Sequence, residues 1–350
     1  MSKIDHSLLL RIGAAVGEAS PGAVVAELRR LEGGRSSETL LATVVAVDGA
    51  ASRLVVKVAP AGVAPTGNRD VLRQARVLDA LRGVDAVRVP RVVFVDPGAP
   101  PDEPPLFGMT YVSGVSLEPH IDAVDGLPPA DQVRARASEA ALMLAALHLL
   151  DPAAIGLDDE PAVPLGDELA RWERLFETVD EELRPGADAV LVDLRRAQPD
   201  DQSSSIVHGD YRLGNMLCER GEVCALIDWE IWGRGDPRLD LAWFTLTADS
   251  QLHPNAVRRA PGMPEPQALV DEYHRAGGPG VGHASWFTAL ALYKMAAASA
   301  LIVKHNRRRA VAPALTDEMA RGLDDVLCRA RYLLDGHEEP GRSRSTEIVE

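Results

Sequence analysis

Apolar residues recur at every second place through much of the first hundred positions. Residues 24–31 and 39–47 alternate apolar and polar side chains, as strands with one buried face do; Glu32-Gly33-Gly34-Arg35-Ser36-Ser37 lies between them. Residues 53–58, Arg-Leu-Val-Val-Lys-Val, read as a third strand, entered through the turn Asp48-Gly49-Ala50-Ala51-Ser52. The period then changes. Across residues 70–81, Val71, Ala75, Leu78 and Leu81 fall on one face of a helix. Two more strands follow at 91–95 and 106–111, separated by a Pro-rich exposed loop over 97–105. The first part of the chain therefore predicts five strands and one helix.

After Val112-Ser113-Gly114 the pattern lengthens to helical spacing, at 132–150, 168–183, 190–197, 240–247, 266–276, 284–304 and 316–334. Gly277-Gly278 and Gly336 mark helix ends. A hairpin over 206–229 interrupts the helices. These readings give an α+β chain with a sheet lobe over 1–112 and a mainly helical lobe over 113–336. A polar tail over 337–350 is expected to be disordered. No internal repeat is visible.

Composition narrows the function classes. The 350 residues suffice for two lobes, and 46% hydrophobic content is ordinary for a globular protein. With 37 Lys and Arg against 52 Asp and Glu, the net charge of −15 disfavours a nucleic-acid surface. The short run Arg307-Arg308-Arg309 reads as a compensated helix end rather than a nucleic-acid patch. The N-terminus lacks an apolar signal core, and the apolar runs over 140–150 and 290–303 read as too short or too polar to span a bilayer. Three cysteines fit a reducing compartment, so a cytoplasmic location is expected. Cys218, Cys224 and His208 match no zinc spacing, and no zinc is expected.

The chemistry concentrates between positions 208 and 240. His208-Gly209-Asp210 is followed by Asn215, and the apolar run 224–227 leads into Asp228-Trp229-Glu230. Phosphoryl transfer needs a carboxylate to orient and deprotonate an attacking hydroxyl, and oxygen donors to hold Mg²⁺ on the phosphates. Asp210 suits the first task, Asn215 and Asp228 the second.

The string His208-Gly209-Asp210-Tyr211-Arg212-Leu213-Gly214-Asn215-Met216-Leu217, with Ile227-Asp228-Trp229-Glu230 and 235–243, resembles aminoglycoside phosphotransferase-like kinases. Its wording is nearest to the branch also found fused to acyl-CoA dehydrogenases. The resemblance implies the two-lobed protein-kinase-like fold, a five-stranded antiparallel sheet lobe with a helical partner, and an ATP- and Mg²⁺-dependent transferase, with two metal ions expected. It implies that His208 orders the catalytic loop, that Asp240 ties a helix start to that loop, and that Arg212 lies near substrate or phosphate unless it is a surface residue. Lys57 matches the lysine that reaches the phosphates. Gly33, Gly34, Ser36 and Ser37 form the turn above them. Met109, Thr110, Tyr111 and Val112 match the adenine-binding segment between lobes, with Val56, Met109 and Ile227 packing on the ring.

One position departs from the family pattern. The glutamate that normally pairs with the lysine is Gln74 here, and Asp70, one turn earlier, could substitute. This leaves a non-catalytic nucleotide-binding pseudokinase as the alternative to a kinase. The expected partner is a small hydroxyl-bearing acceptor, with choice shaped by the loop over 251–266 and the helix over 284–304. The acidic clusters 158–160, 167–168 and 180–182 could receive a polyamine or be solvated surface. Trp172, Phe176 and Tyr293 suggest an apolar acceptor. The oligomeric state is not legible.

Overall fold

The computed structural model describes residues 5–31, 37–122, 126–202, 204–280, 282–309 and 312–336. Helix α1 (His6–Ala19) starts at Asp5, whose carboxylate accepts from Ser7 N–H. Strands β1 (Val24–Arg30), β2 (Glu38–Val45) and β3 (Ala51–Val58) follow. Helix α2 (Val71–Leu81) then precedes β4 (Val92–Asp96) and β5 (Leu106–Thr110). The five strands form one antiparallel sheet in the order β1-β2-β3-β5-β4. Helix α1 was not anticipated. Its Ile12 and Val16 pack on Leu40, Ala42, Val44, Leu54, Val56 and Val58, so among the described residues this lobe has two α-helices.

That packing corrects the adenine reading of Val56, which is fully buried against α1. Strand alternation then places Lys57 on the opposite face, toward the cleft. Asp70 is also reassigned. Its side chain caps α2 by accepting from Leu72 N–H and Arg73 N–H at 3.1 and 3.0 Å, so it is no lysine partner.

The second lobe contains α3 (Ala130–His148), α4 (Leu165–Glu177) and α5 (Ala187–Arg196). Short strands β6 (Ser205–Val207), β7 (Met216–Glu219), β8 (Glu222–Leu226) and β9 (Gly233–Gly235) come next. Helices α6 (Arg238–Thr247), α7 (Pro266–Arg275), α8 (Ala284–Arg309) and α9 (Pro313–Leu334) complete the lobe. The sheet pairs are β7 with β8 and β6 with β9. Helix α8 corrects the membrane reading of its sequence: it is long and apolar enough to cross a bilayer by length and composition. Two thirds of its most apolar stretch is buried, in a core shared with Trp172 of α4, Leu246 of α6 and Leu323 and Val326 of α9. The disordered tail expected over 337–350 lies outside the described residues.

The lobes are joined by side chains as well as by the chain. Arg73 of α2 pairs with Glu160 at 2.6 Å, donates to Trp232 O and lies over the Trp232 ring at 4.4 Å; Trp232 Nε1 donates back to Arg73 O at 3.0 Å. Arg76 pairs with Asp159. Part of the acidic cluster at 158–160 thus holds α2 on the helical lobe.

Candidate active site

After β6 the chain turns sharply at His208-Gly209-Asp210. Gly209 has φ +83°, and a Cβ there would meet Ile231 O at 2.6 Å, so only glycine fits. Asp240 of α6 fixes this turn: its two carboxylate oxygens accept from His208 N–H at 2.6 Å and Gly209 N–H at 2.8 Å. His208 is fully buried. Its Nδ1 accepts from Asp210 N–H, which leaves Nε2 to donate to Ile227 O at 3.0 Å. Burial holds the imidazole pKa below its ordinary value, in keeping with this neutral form, although the Asp240, Asp210 and Asp228 carboxylates oppose the shift. The loop-ordering role expected of His208, and the tie expected of Asp240, both correspond to these contacts.

The Asp210 carboxylate is held on both oxygens. Oδ1 accepts from Trp243 Nε1 at 2.7 Å, and Oδ2 accepts from Asn215 Nδ2 at 2.7 Å. Asn215 Nδ2 also donates to Asp210 O at 2.8 Å, so its Oδ1 is left to face other donors or a cation. Arg212 is tied to the loop it follows. It lies between two carboxylates, with Nε 3.3 Å from Asp210 Oδ1 and Nη1 3.4 Å from Glu118 Oε2.

Glu118, which the sequence did not single out, bridges the interlobe connection to the catalytic loop by also accepting from Gly214 N–H at 2.9 Å. Burial raises its pKa from 4.5 to about 7, against the pull of Arg212. A carboxyl whose folded pKa is raised costs nothing below about pH 4.5 and its full amount above about pH 7. Glu118→Gln keeps an acceptor for Gly214 and removes the titration. Between pH 4.5 and 8, the unfolding free energy of the variant relative to wild type should therefore shift in its favour by about 3 kcal/mol, read by urea denaturation.

Lys57 Nζ reaches Asp228 Oδ1 at 3.2 Å. Gln74 is buried on α2, and its Nε2 makes no hydrogen bond among the described residues. Asp228 has φ +68°, a left-handed conformation that holds its partly exposed carboxylate at the end of β8. Ile227 N–H donates to Asn215 O at 2.9 Å and so brings the Asn215 and Asp228 segments side by side. Two hard oxygen donors with further positions open to phosphate and water are a donor set that suits Mg²⁺, which seldom occupies an all-protein cage.

The interlobe segment is partly committed. Thr110 N–H donates to Arg91 O, Tyr111 N–H donates to Arg53 O at 3.2 Å, and the Arg53 guanidinium covers the Tyr111 ring. Met109 pairs within the sheet with Val55. Val112 is the residue of this segment with no such backbone commitment among the described residues. Ser37 is buried with its Oγ unpartnered; Gly33, Gly34 and Ser36 lie outside the described residues.

Beside the catalytic loop lies a cavity of about 400 Å³, lined by Gly209, Trp172, Trp243, Glu168, Glu230 and Lys294 among others. Helix α8 contributes Phe287, Leu290, Ala291 and Lys294, as expected for the helix over 284–304. The loop over 251–266 lines a separate, small pocket with His120 instead. Trp172 lines the cavity, whereas Phe176 and Tyr293 stack at 4.9 Å inside the core and cannot meet an acceptor. Lys294 is the residue sequence reasoning missed most. It donates to Gly209 O, and its Nζ sits 4.0 Å from the Trp243 ring centre and 5.5 Å from that of Trp172. Burial lowers its pKa, opposed by Asp210. The available signal was one lysine in an otherwise apolar helical run. Lys294→Met should lower kcat/KM at least about tenfold by freeing Gly209 O beside Asp210, with little change in ATP affinity by calorimetry.

A profile of the phosphotransferase enzyme family named APH matches residues 27–284. The chain belongs to that family. Mouse acyl-CoA dehydrogenase family member 10 is 28% identical over 202 residues, which is 55% of this chain and 18% of that protein, so the chain spans under a fifth of this relative. A crystal structure from Ralstonia eutropha, provisionally described as an aminoglycoside phosphotransferase, superposes with a TM-score of 0.74 at 23% identity, over 94% of this chain and 98% of that one. The GDP and kanamycin complex of an aminoglycoside 2″-phosphotransferase superposes at 0.62 and 14% identity, over 92% and 99%. At these identities the superpositions establish the kinase-like fold of the APH chain.

Proposed function

We propose that this APH-family chain transfers the γ-phosphate of ATP, with Mg²⁺, to a hydroxyl group of a small molecule. The observation that carries the reading is the Asp210 carboxylate, fixed by Asn215 and Trp243 beside the 400 Å³ cavity. An alcohol seated there would give its proton to Asp210 as its oxygen attacks phosphorus. Lys57 would hold the phosphates, Val112 the adenine edge, and Asn215 and Asp228 the metal. Mg²⁺, when bound, would neutralise phosphate charge. GDP in the APH-family structure with kanamycin supports a nucleotide co-substrate.

Charge speaks to the acceptor. Arg73, Arg171, Arg174, Arg234 and Lys294 line the cavity against Glu168 and Glu230. Such a surface repels a polycation and suits a neutral or anionic alcohol, even in a chain of net charge −15. The test is ADP release with Mg²⁺ against hydroxy acids, sugars, macrolides and kanamycin. Turnover with the first groups, none with kanamycin, and loss of all turnover in EDTA are expected; kanamycin as the best acceptor would refute the charge argument. The pseudokinase reading draws on Gln74, buried where the family has a charged partner for Lys57. Tight nucleotide binding with no phosphoryl transfer would favour it.

A further inference from the structure

A second cavity, of about 660 Å³, opens beside the β7–β8 hairpin and shares no lining residue with the 400 Å³ cavity. Ser113, Gln132, Arg136, Cys218, Glu219 and Arg220 line it among others. Gln132 and Arg136 stand one turn apart on α3, on the face that meets the hairpin. Arg136 is only 3% exposed. Its Nε and Nη1 are buried without a hydrogen bond, and among the described residues no carboxylate pairs with it. That is unusual. The other fully buried arginine among the described residues, Arg238, has Asp236 at 2.6 Å.

A guanidinium cannot shed its proton, so burying it unpaired costs several kcal/mol, and such a group in a native fold calls for an anion. The nearby Cys218 offers none: burial holds its thiol pKa up at about 11, so it is neutral at physiological pH. Glu219 and Arg220, both exposed, add one charge of each sign at the rim. The volume exceeds what a lone inorganic ion fills, which leaves room for an attached organic body.

We infer that Arg136 is the anchor of an anion-binding site beside the β7–β8 hairpin, which takes the phosphate group of a small molecule and is separate from the catalytic cleft. A ligand held there would bear on Cys218 and the interlobe residues, since Val115 and Cys218 exchange backbone hydrogen bonds.

The probe is inorganic phosphate, titrated into the full chain at constant ionic strength, with Tm as readout. Wild type and Lys57→Met, which lacks the phosphate-holding lysine of the cleft, should both show a saturable rise of roughly 2–4 °C. Arg136→Met should lose that rise, keep ATP binding, and melt no lower than wild type without phosphate, because the variant keeps the stem and removes the unpaired charge. Arg136→Lys, the gentler change, should retain part of the rise. A rise that survives undiminished in Arg136→Met, one that vanishes in Lys57→Met, or none in wild type would overturn the inference. Because the readout involves no turnover, it stands or falls apart from the kinase reading.

Discussion

Asp210→Asn is expected to lower kcat by about 10³-fold or more while leaving the ATP dissociation constant within about threefold of wild type. The substitution is nearly isosteric. An amide can still accept from one of the two donors that hold the present side chain, Trp243 Nε1 and Asn215 Nδ2, but its own NH₂ must then face the other. It also loses the charge that accepts the acceptor's proton and that balances Arg212 at 3.3 Å. The nucleotide contacts proposed for Lys57, Asp228 and Val112 are untouched. Single-turnover rates together with calorimetric ATP binding separate the two quantities. Parallel losses in rate and affinity would mean that Asp210 supports the cleft rather than the reaction.

The largest stability effect is expected at Asp240. Asp240→Ala should destabilise the fold by about 3–5 kcal/mol in urea denaturation, because it strips the partners from two buried backbone N–H groups at His208 and Gly209. Asp240→Asn keeps one acceptor and sets an NH₂ against the other donor, so its loss should be intermediate. Burial pushes the Asp240 carboxyl up, but the approach of His148 Nε2 to 3.6 Å and the backbone donor at His208 outweigh it, and the net pKa lies below the ordinary carboxylate value. A depressed carboxyl stabilises above its unfolded pKa of 3.8 and loses that contribution as pH falls through the lower folded value. The wild-type advantage over Asp240→Ala should therefore hold at neutral pH and shrink only in strong acid.

What was legible in the sequence was whatever a short-range pattern encodes. Two-residue alternation announced β2 and β3, resemblance to a family motif picked out Lys57, and the spacing of Asp210, Asn215 and Asp228 within one hairpin marked the candidate site. What was hidden depends on which distant elements meet. Alternation marks two faces of β3 but not which face α1 covers, so Val56 was assigned to the wrong side. The hydrogen bond from Trp243 to Asp210 spans 33 positions, Glu118 meets Gly214 across 96, and Lys294 meets Gly209 across 85. No local spacing reports such contacts. Asp70 shows the opposite failure, since a carboxylate one turn before Gln74 is also an N-cap, and the cap is what the fold uses.

The chemistry proposed for this chain is transfer of a phosphoryl group onto an alcohol. The direct measurement is mass spectrometry of the acceptor panel after incubation with ATP, Mg²⁺ and the purified chain. The account predicts that at least one neutral or anionic alcohol gains a single phosphoryl group, and that the gain disappears with Asp210→Asn. ATP bound by the wild-type chain, with no acceptor in the panel gaining mass and no ADP formed, would contradict it.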